Sequence, residues 1–324
     1  MIKRFQYAGL VAVILLSCNC SSSGNAENKD AKPVDTGMAV EDGSVVAVED
    51  TNVMAPEDGA APAGQATSGE TEAAEPQQQQ ATQPENGGAK KGPVDGVARL
   101  KAAYPDKIKD IKDNTIYFVD GTTMVYDDGK QKDFVYMLDN SDPEDMFHDP
   151  YDTSAAVPGY LQDVGRSRSE QLFKKLYGAT SQAVQNQLVS VPWFGGSVRF
   201  SSSNGAAEQL KKVKAELDEL VKKNPGLKPY LKSSGTFYWR NVRGANRLSA
   251  HSYGIAFDIG VDKSDYWLWK NKGASETKKI TYHNRIPLEI VEVFEKYGFV
   301  WGGRWYHFDT MHFEYRPELN PPTK

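Results

Sequence analysis

No aromatic residue lies between Asn19 and Pro93. Ala, Glu, Asp, Gly, Pro, Gln and Ser dominate that stretch, which includes a glutamine run at 77–80, and its acids clearly outnumber its bases. A segment with so little apolar surface cannot offset the entropy of ordering its backbone, so it reads as a disordered acidic tether. Folding is therefore confined to the chain from near Val94 onward, about 230 residues. That length suits one catalytic domain with an N-terminal extension. The expected boundaries are 18–93 for the tether, 94–195 for the extension and 196–324 for the main domain.

Ahead of the tether, Lys3 and Arg4 precede an apolar run, AGLVAVILLS at 8–17, too short to span a bilayer comfortably. Residues 1–17 read as a signal peptide. The Leu15-Leu16-Ser17-Cys18 sequence resembles a bacterial lipobox, which implies cleavage before a lipid-modified Cys18. The expected location is the bacterial cell envelope, with the chain held to a membrane by its N-terminal lipid and facing the periplasm. Cys20 lacks the preceding pattern. These two are the only cysteines, so the folded part has neither a disulfide framework nor a cysteine metal ligand. A flexible coil the length of the tether spans roughly 50 Å, enough to let a lipid-held domain sweep nearby cell wall. The net charge of −5 comes largely from the tether and gives no basis for nucleic-acid binding.

Within the folded part, TIYFVDGTTMVYDDG (115–129) reads as a hairpin around Asp120-Gly121. SRSEQLFKKLYG (167–178) suits a short helix. GAAEQLKKVKAELDELVKK (205–223) suits an amphipathic helix with Leu210, Val213, Leu217, Leu220 and Val221 on one side, stopped at Asn224-Pro225-Gly226. PLEIVEVFEKYG (287–298) suits another, from Pro287 to Gly298. Strands with helices on one side imply an α+β architecture, a small antiparallel sheet with flanking helices.

Two polar clusters near the C-terminus sit where strand patterning leaves room for them. In IAFDIGV (255–261), Ile255, Phe257, Ile259 and Val261 share one face, while Asp258 shares the other with Ala256 and Gly260. A cation can approach a carboxylate flanked by two such small residues. In DTMHFEY (309–315), His312 shares its face with Thr310 and Glu314, and Asp309 stands at or just before the strand start. His251 precedes the first strand, and Gly254 permits the bend that brings it toward Asp258. Two imidazoles and one carboxylate suit a catalytic Zn2+ with an open fourth position, so His251, Asp258 and His312 are candidate ligands.

At these residues the chain resembles the M15 peptidases, zinc D,D-carboxypeptidases and related peptidoglycan endopeptidases. SAHSYGIAFD (249–258) matches their S-x-H-x-x-G-x-A-x-D signature, and DTMH (309–312) matches their second, an acidic residue three before a histidine. The likeness covers about 195–318, and more loosely the chain from about 95. It implies a Hedgehog/D,D-peptidase-like fold with a zinc site, ligation by His251, Asp258 and His312, and Asp309 as general base. Vancomycin-resistance-type enzymes of the family carry glutamate where this chain has Asp309, whereas several phage and bacterial endopeptidases carry aspartate. Both D,D-carboxypeptidase and endopeptidase action on peptidoglycan stem peptides therefore follow from the resemblance. A different class stands beside them: an inactive, metal-stabilised, cell-wall-binding lipoprotein. A third is a zinc hydrolase for a small periplasmic peptide.

A developing oxyanion needs positive charge beside the metal. Arg240, in SGTFYWR, is the position that matches the family's stabilising arginine, with Arg243 and Arg247 as alternatives and Arg247 otherwise a loop anchor. Ser249, Tyr253, Trp305 and His307 are candidate substrate residues. His307 is either a pocket wall or a substitute ligand, and Tyr253, Trp301 and Trp305 either wall a cleft or pack internally. Glu314 is either a hydrogen-bond partner behind the ligands or a salt-bridge residue. His148 and His283 read as loop residues.

Overall fold

A computed structural model describes residues 95–323. The signal segment, Cys18, Cys20 and the tether lie outside the described residues. The extension begins with α1 (Gly96–Ala103), capped by Asp95, whose carboxylate accepts from the Ala98 N–H at 2.9 Å. Strands β1 (Ile108–Lys112), β2 (Thr115–Phe118) and β3 (Thr123–Val125) form an antiparallel sheet in that order. The expected hairpin joins β2 to β3, with Gly121 at φ 86° in the turn. Strand β1 escapes sequence patterning because a bulge between Ile108 and Asp110 breaks its two-residue period. Three helices follow: α2 (Phe134–Asn140), α3 (Glu170–Tyr177) and α4 (Ser181–Gln185).

The remaining elements are β4 (Leu188–Trp193), β5 (Gly196–Ser201), α5 (Ala206–Lys223), β6 (Ser233–Gly235), β7 (Ala256–Ile259), α6 (Trp267–Lys270), α7 (Leu288–Lys296), β8 (Phe299–Trp301) and β9 (His312–Tyr315). β4 and β5 form a hairpin, and the last four strands form an antiparallel sheet in the order β6-β7-β9-β8. The fold is α+β. Helix α5 buries Leu210, Val213 and Leu217, with Leu220 and Val221 packed at the margin of the core. Helices α5 and α7 lie where their periodicity put them. Among the described residues, no helix is long and apolar enough to cross a membrane.

The apolar face of the four-stranded sheet is aromatic. Phe313 of β9 stacks on Phe294 of α7 with ring centroids 4.0 Å apart, and Trp193 of β4 sets its edge on Phe257 of β7 at 4.5 Å. Burying each such side chain contributes about 1.5–3 kcal/mol, which fixes which face of β7 and β9 points inward. One continuous core joins these residues to Leu100, Tyr104 and Phe173 of the extension.

Both key strands are shorter than their apolar patterns. β7 ends at Ile259 because Gly260 turns left-handed at φ 52°, where an added Cβ would stand 2.7 Å from the Tyr230 carbonyl oxygen, and Val261 leaves the strand. β9 begins only at His312, whose N–H closes a turn onto the Asp309 carbonyl at 3.1 Å.

Candidate metal centre

The register of β7 on β9 pairs Asp258 directly with His312, Phe257 with Phe313, and Ala256 with Glu314. With the aromatic pair facing the core, Asp258 and His312 share the opposite face as cross-strand neighbours. His251 arrives from a short 3-10 turn, Ala250–Tyr253. The Ser249 hydroxyl caps this turn by accepting from the His251 N–H at 3.4 Å, and Gly254 ends it at φ 65°. A side chain at Gly254 would also collide with Leu188, at 2.4 Å. The bend expected there is thus one that only glycine accommodates easily.

Nδ1 of His312 lies 2.9 Å from Oδ1 of Asp258, Nε2 of His251 lies 3.2 Å from Oδ2, and the two imidazole centroids are 5.0 Å apart. One donor atom from each residue falls within 4.8 Å of the others. The far nitrogens are already engaged. His251 Nδ1 is 2.5 Å from the Thr236 carbonyl oxygen, and His312 Nε2 is 3.0 Å from the Glu314 carboxylate. Carbonyl and carboxylate oxygens accept only, so each far nitrogen donates a proton to its partner, which leaves the near nitrogen as the one that would turn its lone pair to a bound metal. Both near nitrogens face the Asp258 carboxylate, an arrangement held by protons without a metal and able to exchange them for a cation. The donor set fits zinc: two nitrogens, one carboxylate, and room left for a further ligand.

The electrostatics agree. Burial works against a charged His312, but hydrogen bonds to Asp258 and Glu314 outweigh it and raise its imidazole to about 10. Burial likewise opposes ionised Asp258, yet the two histidines hold its carboxyl far below the usual range. The Asp258 side chain is 21% exposed against 7% for His251 and 9% for His312, so the centre opens to solvent on the carboxylate side.

Asp309 stands beside this group. Burial pushes its carboxyl up to about 7; His312, His251 and Arg240 pull the other way, and Asp258 reinforces the rise. Its Oδ1 is buried without a hydrogen-bond partner. The backbone there is tightly held, with the Asp309 N–H donating to the Gly302 carbonyl at 3.0 Å, and a Cβ on Gly302 would lie 2.5 Å from the Asp309 carbonyl oxygen. Gly302 thus lets the backbone pass close to this acid, while Gly303 makes room for the Trp301 ring.

The arginines separate clearly. Arg240 is exposed, and its charge reaches Asp309. Arg247 is buried and paired with Asp139 in the last turn of α2, the loop-anchor alternative. Arg243 is exposed. Trp305 lies beside the centre, its ring centroid 5.5 Å from that of His312. Tyr253 is turned into the core against Phe173 and Tyr177. His307 is fully buried, with Nδ1 2.6 Å from Asp163 and its ring between Phe134 and Trp267. It is absent from the group of converging ligand atoms.

Sequence reading alone missed Arg168, Asp163, Glu276 and the Thr236 carbonyl. Arg166 binds Asp163 at 3.0 Å and Glu276 at 2.9 Å, in a cluster shared with His307. These partners lie tens to more than a hundred positions from the residues they support, and no local pattern marks them. Two further acidic groups, around Asp127-Asp128 and Asp142–Asp145, already surround the Lys132 ammonium at 2.6–3.0 Å.

Residues 243–315 match a peptidase M15 family model described as D-alanyl-D-alanine carboxypeptidase. The matched segment contains His251, Asp258, Asp309 and His312, so the likeness falls on the residues of the centre. No curated protein and no solved structure matches the chain.

A titration follows from the raised His312 value. Below about 10 the metal-free imidazole holds its proton, and a metal takes only the neutral form. Zinc binding at pH 7.5 should therefore release about one proton from His312, and affinity should rise about tenfold per pH unit below that value. Calorimetry in two buffers of different ionisation enthalpy measures the release; binding with no proton released contradicts the assignment.

Proposed function

We propose that the chain is a zinc-dependent peptidase that cleaves peptide bonds in peptidoglycan stem peptides, as a D,D-carboxypeptidase or an endopeptidase. The observation that carries this reading is the convergence of His251, Asp258 and His312 beside the half-buried Asp309, whose Oδ1 is buried without a hydrogen-bond partner. A purely structural metal site has no use for that last feature, which costs stability. This favours an enzyme over a metal-stabilised binding lipoprotein.

Zinc held there supplies Lewis acidity, which polarises a carbonyl and brings the pKa of water toward about 7. The chain's own residues do the rest. Asp309 takes a proton from water and delivers it to the leaving amine. A carboxyl raised by burial toward neutrality serves both directions better than an ordinary one, and a nearby divalent cation would draw it part of the way back. Arg240 contributes positive charge on the Asp309 side, where the carbonyl oxygen gains negative charge. Trp305, beside His312, is placed to exclude water from one side. Ser249 positions the His251 turn through its cap.

Asp309→Asn should retain zinc and lose roughly 10²–10⁴ in turnover, the usual worth of a positioned general base. Arg240→Ala should retain zinc and lose roughly 10²–10³, the usual worth of one oxyanion donor. Digestion of purified peptidoglycan, read by mass spectrometry of the released peptides, checks both variants and names the bond cut. Unchanged release by Asp309→Asn, or no release by the zinc-loaded wild type, overturns the reading.

We also propose that a lipid on Cys18 holds the chain to a membrane of the cell envelope, a reading supported by the Leu15-Leu16-Ser17-Cys18 sequence. Cys18→Ala should abolish incorporation of a fatty-acid analogue; unchanged labelling removes Cys18 as the anchor.

A further inference from the structure

Glu314, the partner of His312 Nε2, is 1% exposed and does not stand alone. The Arg168 Nη1 donates to Glu314 Oε1 at 3.0 Å, and the Arg316 Nη1 donates to Oε2 at 3.1 Å. Both guanidinium groups also donate to the Gly165 carbonyl, at 3.1 and 2.9 Å. Gly165 sits at φ 102°, and an added Cβ would stand 3.3 Å from Arg316 Nη1. Arg316 is held in turn by Glu318, whose other oxygen accepts from the Tyr104 hydroxyl at 2.6 Å. Burial opposes charge on Glu314, yet Arg168, His312 and Arg316 keep it ionised well below the usual range.

Oε1 of Glu314 is the shared atom: it accepts from Arg168 on one side and meets His312 Nε2 on the other. Arg316 and Glu318 are local in sequence to β9, but Arg168 comes from 146 positions earlier, outside the segment matched by the family model. We propose that Arg168 is a positioning residue of the metal centre, contributed by the N-terminal extension. It fixes the Glu314 carboxylate, which fixes the His312 ring with Nε2 protonated and Nδ1 directed at the metal position. Tyr104, through Glu318 and Arg316, braces the same carboxylate from the other side. The extension is on this account part of the metal site rather than an appendage to it. The inference rests on the metal-centre reading but not on the reaction proposed for it.

The test is a double-mutant cycle on the full chain, with zinc affinity read by competition with a chelator and geometry read from the visible spectrum of the cobalt-substituted protein. Arg168→Gln should weaken zinc binding about 10–100-fold, the usual range for residues that hold a metal ligand in place, and should shift the cobalt spectrum. Glu314→Gln should do the same. Because Arg168 acts through Glu314, adding Arg168→Gln to Glu314→Gln should cost little more. Arg168→Lys, which keeps the charge without the planar fork, should recover part of the affinity. If Arg168→Gln fails to fold, Arg168→Lys takes its place in the cycle, with a smaller loss expected that vanishes in the Glu314→Gln background. Wild-type affinity and spectrum in a folded Arg168 variant, or fully additive losses with Glu314→Gln, overturn the proposal. Zinc bound as expected without release of stem peptides overturns the proposed reaction and leaves this inference standing.

Discussion

The pairing of β7 with β9 in one register is the constraint from which the site follows. Asp258 faces His312 only because Phe257 faces Phe313, and that second pair is held by Phe294 and Trp193 in the core. A slip of one residue would drive the carboxylate and imidazole inward and the phenyl rings outward. Burying a carboxylate and an imidazole costs far more than the pairing yields, so the apolar face enforces the polar one. His251 joins through a turn that ends at a glycine in the left-handed region, φ 65°, where a side chain is strained. The geometry of the His251, Asp258 and His312 cluster is thus set mainly by residues with no chemistry of their own.

Behind the ligands, opposite charges alternate through the interior: His312, Glu314, Arg168 and Arg316, then Glu318. Ionised groups this deeply buried persist only when each is paired, and the loss of one partner leaves the other as an uncompensated charge. Such a network adds little net stability over apolar packing. Its value here is orientation, because a carboxylate fixed by two guanidinium groups cannot turn away from the ring it holds. The same constraint ties the extension to the sheet: Tyr104 and Arg168 reach it only when residues 95–169 are folded against it.

The α+β class, helices α5 and α7 and the hairpin of β2 and β3 were legible because each rests on local periodicity or turn spacing, while the convergence of His251, Asp258 and His312 was read from strand patterning together with the M15 resemblance. Apolar alternation in IAFDI and HFEY assigned the faces, and the small neighbours of Asp258 left space on one of them. Strand ends were less legible. Val261 continues the apolar pattern, but the backbone turns at Gly260 to pass Tyr230. Strand β1 was hidden by its bulge. Arg168 was invisible for a different reason: its partner is far along the chain, and an arginine beside a helix start looks like surface. Tyr253 illustrates the opposite ambiguity, since an aromatic beside a ligand suits a cleft wall and a core equally well. Its contacts with Phe173 and Tyr177 lie in the core.

X-ray absorption at the zinc edge of the zinc-loaded chain tests the central claim most directly. The account requires a first shell of nitrogen and oxygen only, at about 2.0–2.2 Å, with imidazole scattering from two rings and a coordination number of about four. Loss of one ring's scattering in His251→Ala and of the other's in His312→Ala would assign each to its residue. Sulfur at about 2.3 Å would contradict it, because Cys18 and Cys20 are the only cysteines. So would an oxygen-only shell of about six ligands, which would place the metal among the carboxylates around Lys132.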